Sequence, residues 1–245
     1  MLQHIETIEE FAKVVEDVSA PGELWQALLD FFHCHNFPMV SYHHLPGLAR
    51  DQDEARIIAD GFPEDWVCHY IEQKLYLVDP IPKFAEQTSR PFLWSEIPQM
   101  KKLLTEETAY LEELKSSHIG EGVAIQVFGP AMRNGYVGVG FGGRNRALEP
   151  AQLLELQCVC QMAHLRYCEQ ISGTAERDEL LSRREREILN WMARGKSNAV
   201  IADILDISAH TVDTHVRRIF SKLDVQDRTT AAIRGIGSGL IRGVA

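Results

Sequence analysis

Residues 181 to 225, LSRREREILNWMARGKSNAVIADILDISAHTVDTHVRRIFSKLDV, leave this chain few ways to fold. Ser182 followed three residues later by Glu185 is a capping box, which starts a helix. Ile188, Leu189 and Met192 share one face of that helix, and Gly195 ends it as a residue free to take positive φ. Ser197 caps a second helix with Ile201, Ala202 and Leu205 facing inward. Ser208 caps a third, along which Val212, Val216, Ile219 and Leu223 form one narrow apolar stripe. Three short capped helices punctuated in this way form a helix-turn-helix unit, whose last helix enters the major groove of DNA.

The far side of the third segment carries His210, Asp213, Thr214, Arg217, Arg218 and Ser221. These side chains hydrogen-bond and have little apolar bulk, as a base-reading face requires. Three capped helices at these spacings argue against a merely solvated surface. Arg217 can bond the O6/N7 edge of a guanine in two places. Arg218, Lys222 and Lys196 are suited to phosphates, which fix position without reading sequence. Thr211 and Thr214 are short enough for either. Asp213 repels phosphate; it either accepts from a cytosine amine or holds Arg217.

The formal charge of −10 is wrong for a DNA binder until it is divided. From Arg177 onward Lys and Arg outnumber Asp and Glu by 12 to 9, leaving 13 against 26 upstream. An acidic input domain joined to a mildly basic output domain fits that division. So small an excess of positive charge implies weak DNA binding by one copy and a need for a dimer. The five cysteines (Cys34, Cys68, Cys158, Cys160, Cys168) include no CxxC pair and read as small apolar residues in a reducing compartment. The N-terminus lacks the basic and apolar runs of a signal peptide. No apolar run approaches the roughly 20 residues of a membrane helix. The chain is expected to be cytoplasmic and not to contact membranes.

Upstream, periodicity predicts helices over 5–17, 22–34, 63–73, 80–88, 105–116 and 149–171, and strands over 38–44, 55–60, 122–128 and 135–142. Alternation through 122–128 and the turn Arg133-Asn134-Gly135 predict a hairpin. The expected fold class is α+β: an N-terminal α-β-α sandwich around a small antiparallel sheet, followed by an all-α helix-turn-helix domain. The expected boundaries are 1–172, a tether at 173–180 and 181–245.

The stretch from 62 to 94 is aromatic around one acid. Trp66 and Tyr70 lie four apart on one helical face, followed by Asp79-Pro80, Pro91 and Trp94. An indole only donates and a carboxylate only accepts, so Trp66 and Asp79 suit a ligand with one carbonyl and one N–H. Tyr70 and Trp94 supply flat walls. On spacing alone, core aromatics and an ordinary Asp79 N-cap are the favoured description of the same residues. Enzymatic signatures are missing: there is no GxSxG, HExxH, P-loop or dinucleotide fingerprint. His43 and His44 are neighbours on a strand and point to opposite faces, a poor metal pair. No cofactor or metal is expected.

Residues Glu185, Leu189, Gly195, Lys196, Ile201-Ala202, Ile207-Ser208, Thr211-Val212, His215, Lys222-Leu223, Arg228 and Gly239-Leu240-Ile241 resemble the LuxR/FixJ DNA-binding domain. The order Trp66, Tyr70, Asp79, Pro80, Trp94, Gly122 resembles the autoinducer-binding domain of LuxR-type quorum-sensing regulators. Together the two resemblances span essentially the whole chain. They imply an N-acyl-homoserine lactone held between sheet and helices, with Trp66 donating to the lactone carbonyl and Asp79 accepting from the amide N–H. Tyr70 would line the acyl path and Trp94 pack near the lactone ring. They also imply a fourth C-terminal helix over 227–238 whose Ala231, Ala232, Ile233 and Ile236 supply a dimer contact, and RNA polymerase as a further partner.

Two departures stand out. Phe62 occupies a position where many members have a tyrosine, and Phe141 one where many have Ser or Thr, allowing for a one-residue slip along Gly138–Gly143. Loss of both hydroxyls is expected either to favour an unusual acyl group, aromatic, branched or short, packed against Phe62 and Phe141, or to be made good by water or a backbone group. The expected function is therefore a ligand-responsive quorum-sensing transcriptional regulator that binds an inverted-repeat operator as a homodimer through the 149–171 helix. Alternatives are a receptor for a host or plant compound that is not a lactone, a phosphorylation-driven response regulator, and a decoy that does not bind DNA. Residues 1–60 lack the βα alternation of a receiver domain, and the intact recognition face opposes the decoy.

Overall fold

The computed structural model describes residues 4–44, 56–130, 133–144, 146–171 and 180–241. The chain divides into two compact units, one built from residues up to Gln170 and the other chiefly from those after it. The expected tether 173–180 falls, apart from Leu180, outside the described residues.

In the first unit, α1 (Ile8–Asp17) begins at a Thr7–Glu10 capping box, and α2 (Pro21–Cys34) has a proline in its first turn, where the missing N–H costs nothing. The strands are β1 (Met39–His44), β2 (Arg56–Asp60), β3 (Phe92–Leu93), β4 (Gly122–Val127) and β5 (Gly135–Gly140). They form one antiparallel sheet in the order β2-β1-β5-β4-β3. The predicted hairpin is β4–β5, with Val127 opposite Gly135. β5 stops at Gly140, short of the predicted 142, because Gly142 and Gly143 take positive φ. β3 was not predicted; two residues are too few to show alternation.

Strand alternation sends residues to two different helical layers. Val40, Val123, Ile125, Val127, Val137 and Val139 pack with Phe11, Phe31 and Phe32 of α1 and α2 and with Leu156 and Val159 of α7 (Pro150–Ile171). On the other face, Met39, Phe92, Ala124 and Tyr136 pack with α3 (Glu64–Glu72), α4 (Pro80–Ala85), α5 (Ile97–Met100) and α6 (Thr105–Ser116). The central strands β4 and β5 are therefore buried throughout, as a sheet covered on both sides must be. This is the expected α-β-α sandwich.

The second unit holds α8 (Arg183–Ala193), α9 (Asn198–Leu205), α10 (Ala209–Leu223) and α11 (Arg228–Gly237). Ser182, Ser197, Ser208 and Asp227 each accept a backbone N–H at a helix start, and Gly195 takes φ 72° at the first turn. Ile188, Leu189, Met192, Ile201, Val212, Val216, Ile219 and Leu223 form one core. Ala231, expected at a dimer contact, is fully buried in that core, whereas Ile233 is exposed.

Candidate functional site

Asp79 is the organising residue of the helical layer that covers the Met39, Ala124 and Tyr136 face of the sheet. Its Oδ1 accepts from the Ile81 N–H at 2.8 Å and caps α4, so the bland N-cap reading is correct as far as it goes. Its Oδ2 does something else: it accepts from the hydroxyls of both Tyr70 (3.0 Å) and Tyr110 (3.1 Å). Tyr70 comes from α3 and Tyr110 from α6, so one carboxylate ties three helices together. Burial pushes the Asp79 pKa up to about 6, against the pull of the Ile81 N–H, the two phenols and Lys83. Burial beside that carboxylate also raises the pKa values of Tyr70, Tyr110 and Tyr136.

Trp94 is 6% exposed, and its enclosed Nε1 has no acceptor among the described residues. A buried donor without a partner is costly in a resting protein and is a common mark of a place where something binds. The indole also explains Gly122. A Cβ there would lie 2.5 Å from Trp94 Cη2 and 2.6 Å from the Val139 carbonyl, so only glycine fits beneath the ring.

Phe62, Trp66 and Tyr70 are half-buried and pack against this same cluster. Trp66 also lines an open groove of about 270 Å³ between α3 and α6, bordered by His69 and Glu113, whose side chains meet at 2.6 Å. Phe62, Trp66, Tyr70, Asp79, Trp94 and Gly122 are thus brought together. Phe141 is not. It is buried on the opposite face of the sheet, its ring 5.9 Å from Phe37, because Val137, Val139 and Phe141 share one parity of β5 and its continuation. The position facing the cluster is Gly140, against Met39 and Ile119. Tyr110 and Tyr136 escaped the sequence reading. Tyr110 and Leu114 are four apart, which is the mark of an ordinary apolar helix face, and nothing local announces the hydroxyl's partner.

In the C-terminal unit, His210, Thr211, Arg217 and Arg218 are exposed on α10, with Thr214 and Asp213 half-buried beside them. Thr214 donates to the His210 carbonyl of its own helix at 3.0 Å, and the hydroxyls of Thr211 and Ser208 meet at 2.8 Å. Asp213 Oδ1 accepts from Asn198 Nδ2 at 2.6 Å. Asn198 in turn accepts from Arg228, which also donates to the Lys196 carbonyl, so this polar chain locks α9, α10 and α11. Lys196 itself is exposed. Lys222 Nζ lies 2.7 Å from the buried carboxylate of Glu185, so it ties α10 to α8.

Comparison with known proteins matches residues 21–167 to the autoinducer binding domain and residues 179–234 to the luxR family of bacterial regulatory proteins. The chain belongs to the LuxR family. This LuxR-family chain is 32% identical over 187 residues to RpaR of Rhodopseudomonas palustris, a quorum sensing-dependent transcriptional regulator, covering 76% of the chain and 75% of the relative. It is 29% identical over 189 residues to the regulatory protein SdiA of Escherichia coli, covering 74% and 75%. A solved structure of SdiA with octanoyl-rac-glycerol superposes with a TM-score of 0.76 at 20% identity, over 97% of this chain and 96% of that one, which shows the same fold. Relatives of this kind are transcriptional regulators, so the LuxR-family chain is a regulator and not an enzyme. Among the described residues, no helix is long and apolar enough to cross a membrane.

Proposed function

We propose that the chain binds an N-acyl-homoserine lactone in the cluster around Asp79 and, as a homodimer, binds an inverted-repeat operator through α10. One observation carries the ligand reading. A buried carboxylate and a buried, unpartnered indole N–H share one cluster, in a domain matched to autoinducer binding. An amide-linked lactone offers the N–H and the carbonyls that such a pair requires. The acyl group lies against Phe62, which itself carries no hydroxyl, and this favours an aromatic, branched or short chain. Ligand buried only in the native state stabilises that state by mass action and so couples signal to dimer. Leu154 and Leu165 are exposed along α7 and support this helix as the dimer contact.

The decisive experiment is purification of the chain from cells supplied with lactones of different acyl groups, with mass spectrometry of what accompanies it. An acyl-homoserine lactone is expected. Recovery of a non-lactone compound alone, from cells where lactones are abundant, overturns the ligand assignment. That second reading has its own support, since the similar SdiA fold has been solved with octanoyl-rac-glycerol, which is not a lactone.

For DNA, Arg217→Ala is expected to weaken operator binding by about tenfold or more, the loss of one bidentate base contact. Lactone binding should stay unchanged. Electrophoretic mobility shifts at fixed salt, paired with ligand titration, separate the two; equal operator affinity in the variant removes Arg217 from the reading face.

A further inference from the structure

Asp79 has a nearly full set of hydrogen bonds before any ligand arrives. An ionised carboxylate offers roughly four acceptor sites. Ile81 N–H takes one, and Tyr70 and Tyr110 take two more, both on Oδ2. The two phenols approach from different helices with ring centroids 6.2 Å apart. Tyr110 is the deeper of the two at 4% exposed, whereas Tyr70 is half-buried. Both hydroxyls point their protons at the acid, so what remains on Asp79 is a single acceptor position in an apolar surrounding.

We propose that Tyr110 is a positioning residue for ligand recognition, holding the Asp79 carboxylate so that its remaining acceptor position takes the N–H of an amide and rejects the corresponding ester. This rests on the reading of the cluster as the lactone site. The physical reason is the burial of the acid, 5% exposed, with three acceptor positions already taken. An amide N–H completes the set. An ester oxygen in the same place sets its lone pairs against those of a buried carboxylate, and a site built for a donor discriminates strongly against an analogue without one. Without the Tyr110 hydroxyl, Oδ2 keeps only the Tyr70 phenol. A second acceptor position then opens, and the carboxylate is no longer held to one direction.

The test titrates the full-length chain with an N-acyl-homoserine lactone and with its acyloxy analogue, in which oxygen replaces the amide nitrogen. The wild-type chain is expected to prefer the amide by about tenfold or more, the scale of one hydrogen bond to a charged group. Tyr110→Phe should shrink that preference by about threefold or more, mostly through weaker amide binding. Equal losses for amide and ester mark Tyr110 as a plain wall and overturn the proposal, as does an unchanged preference. Both results leave the ligand reading standing. A wild-type chain that binds neither compound overturns the ligand reading, and the proposal with it. If Tyr110→Phe does not fold, ring-¹³C-tyrosine labelling of the wild-type chain replaces it. The Tyr110 ζ-carbon resonance should shift differently with amide and ester, and identical shifts overturn the proposal.

Discussion

Asp79→Ala will both loosen the N-terminal domain and abolish its response to ligand. Removing the side chain deletes the cap on α4, worth about 1 kcal/mol. It also strands the buried Tyr110 hydroxyl at a cost of about 1–3 kcal/mol. A total of about 2–4 kcal/mol corresponds to a fall of roughly 5–15 °C in melting temperature for a domain of this size. Asp79→Asn divides the two roles. Its amide oxygen can still cap Ile81, and its NH₂ can donate to the phenols once they rotate. Stability should therefore be largely retained, while lactone affinity falls about tenfold to a hundredfold for want of a charged acceptor. Thermal unfolding and ligand titration of both variants check the division; a variant Asp79→Asn with wild-type affinity removes Asp79 from the site.

The same residue predicts a pH profile. Its pKa rises from 3.8 unfolded to about 6 in the folded chain, so the folded state holds the proton more tightly. Asp79 therefore costs stability as pH rises between those values, and the cost is complete above about 6. Ligand binding to the ionised acid runs the other way: affinity should fall about tenfold per pH unit below 6 and level off above it. The phenols facing the acid, Tyr70, Tyr110 and Tyr136, are pushed further up by burial and keep their protons through that range. Asp79→Asn should flatten the profile.

Lys222→Ala will destabilise the DNA-binding domain by about 2 kcal/mol, since it leaves the Glu185 carboxylate buried without its cation. The figure sits below that for a fully buried pair because the Lys222 side chain is 39% exposed while that of Glu185 is 3% exposed. Burial alone would raise the Glu185 pKa; the hydrogen bonds from Lys222 and Ser182 outweigh it and hold the value below 4.5. With its folded pKa depressed, Glu185 contributes stability above that pH and loses it as pH falls through the folded value. The melting deficit of Lys222→Ala, roughly 10 °C near neutrality, should accordingly shrink in acid. A variant that melts like the wild-type chain but binds all DNA more weakly would return Lys222 to the phosphate contacts.

Much of this molecule is legible because its cues are local. Ser182 with Glu185, Ser197, Ser208 and Gly195 mark helix ends through bonds spanning three or four residues, and the observed ends fall at them. Alternation in 122–127 and 135–140 likewise announces a hairpin. The gathering of Trp66, Tyr70, Asp79, Trp94 and Gly122 was implied by the family resemblance and not by their spacing. The reason glycine stands at 122, an indole from 28 residues earlier in the chain resting on it, was legible in neither.

What the sequence alone determined is therefore the elements, their caps, the division into an acidic and a basic part, and the family. Tertiary structure decided which groups meet across distance. It turned Phe141 to the far layer through strand parity, joined Lys222 to Glu185 across 37 residues, and brought the Tyr110 hydroxyl to Asp79 across 31. Periodicity tells a residue's face relative to its own helix or strand; it holds no information about which other element will cover that face. Hydrogen-bond partners of buried polar groups are set only when the layers close.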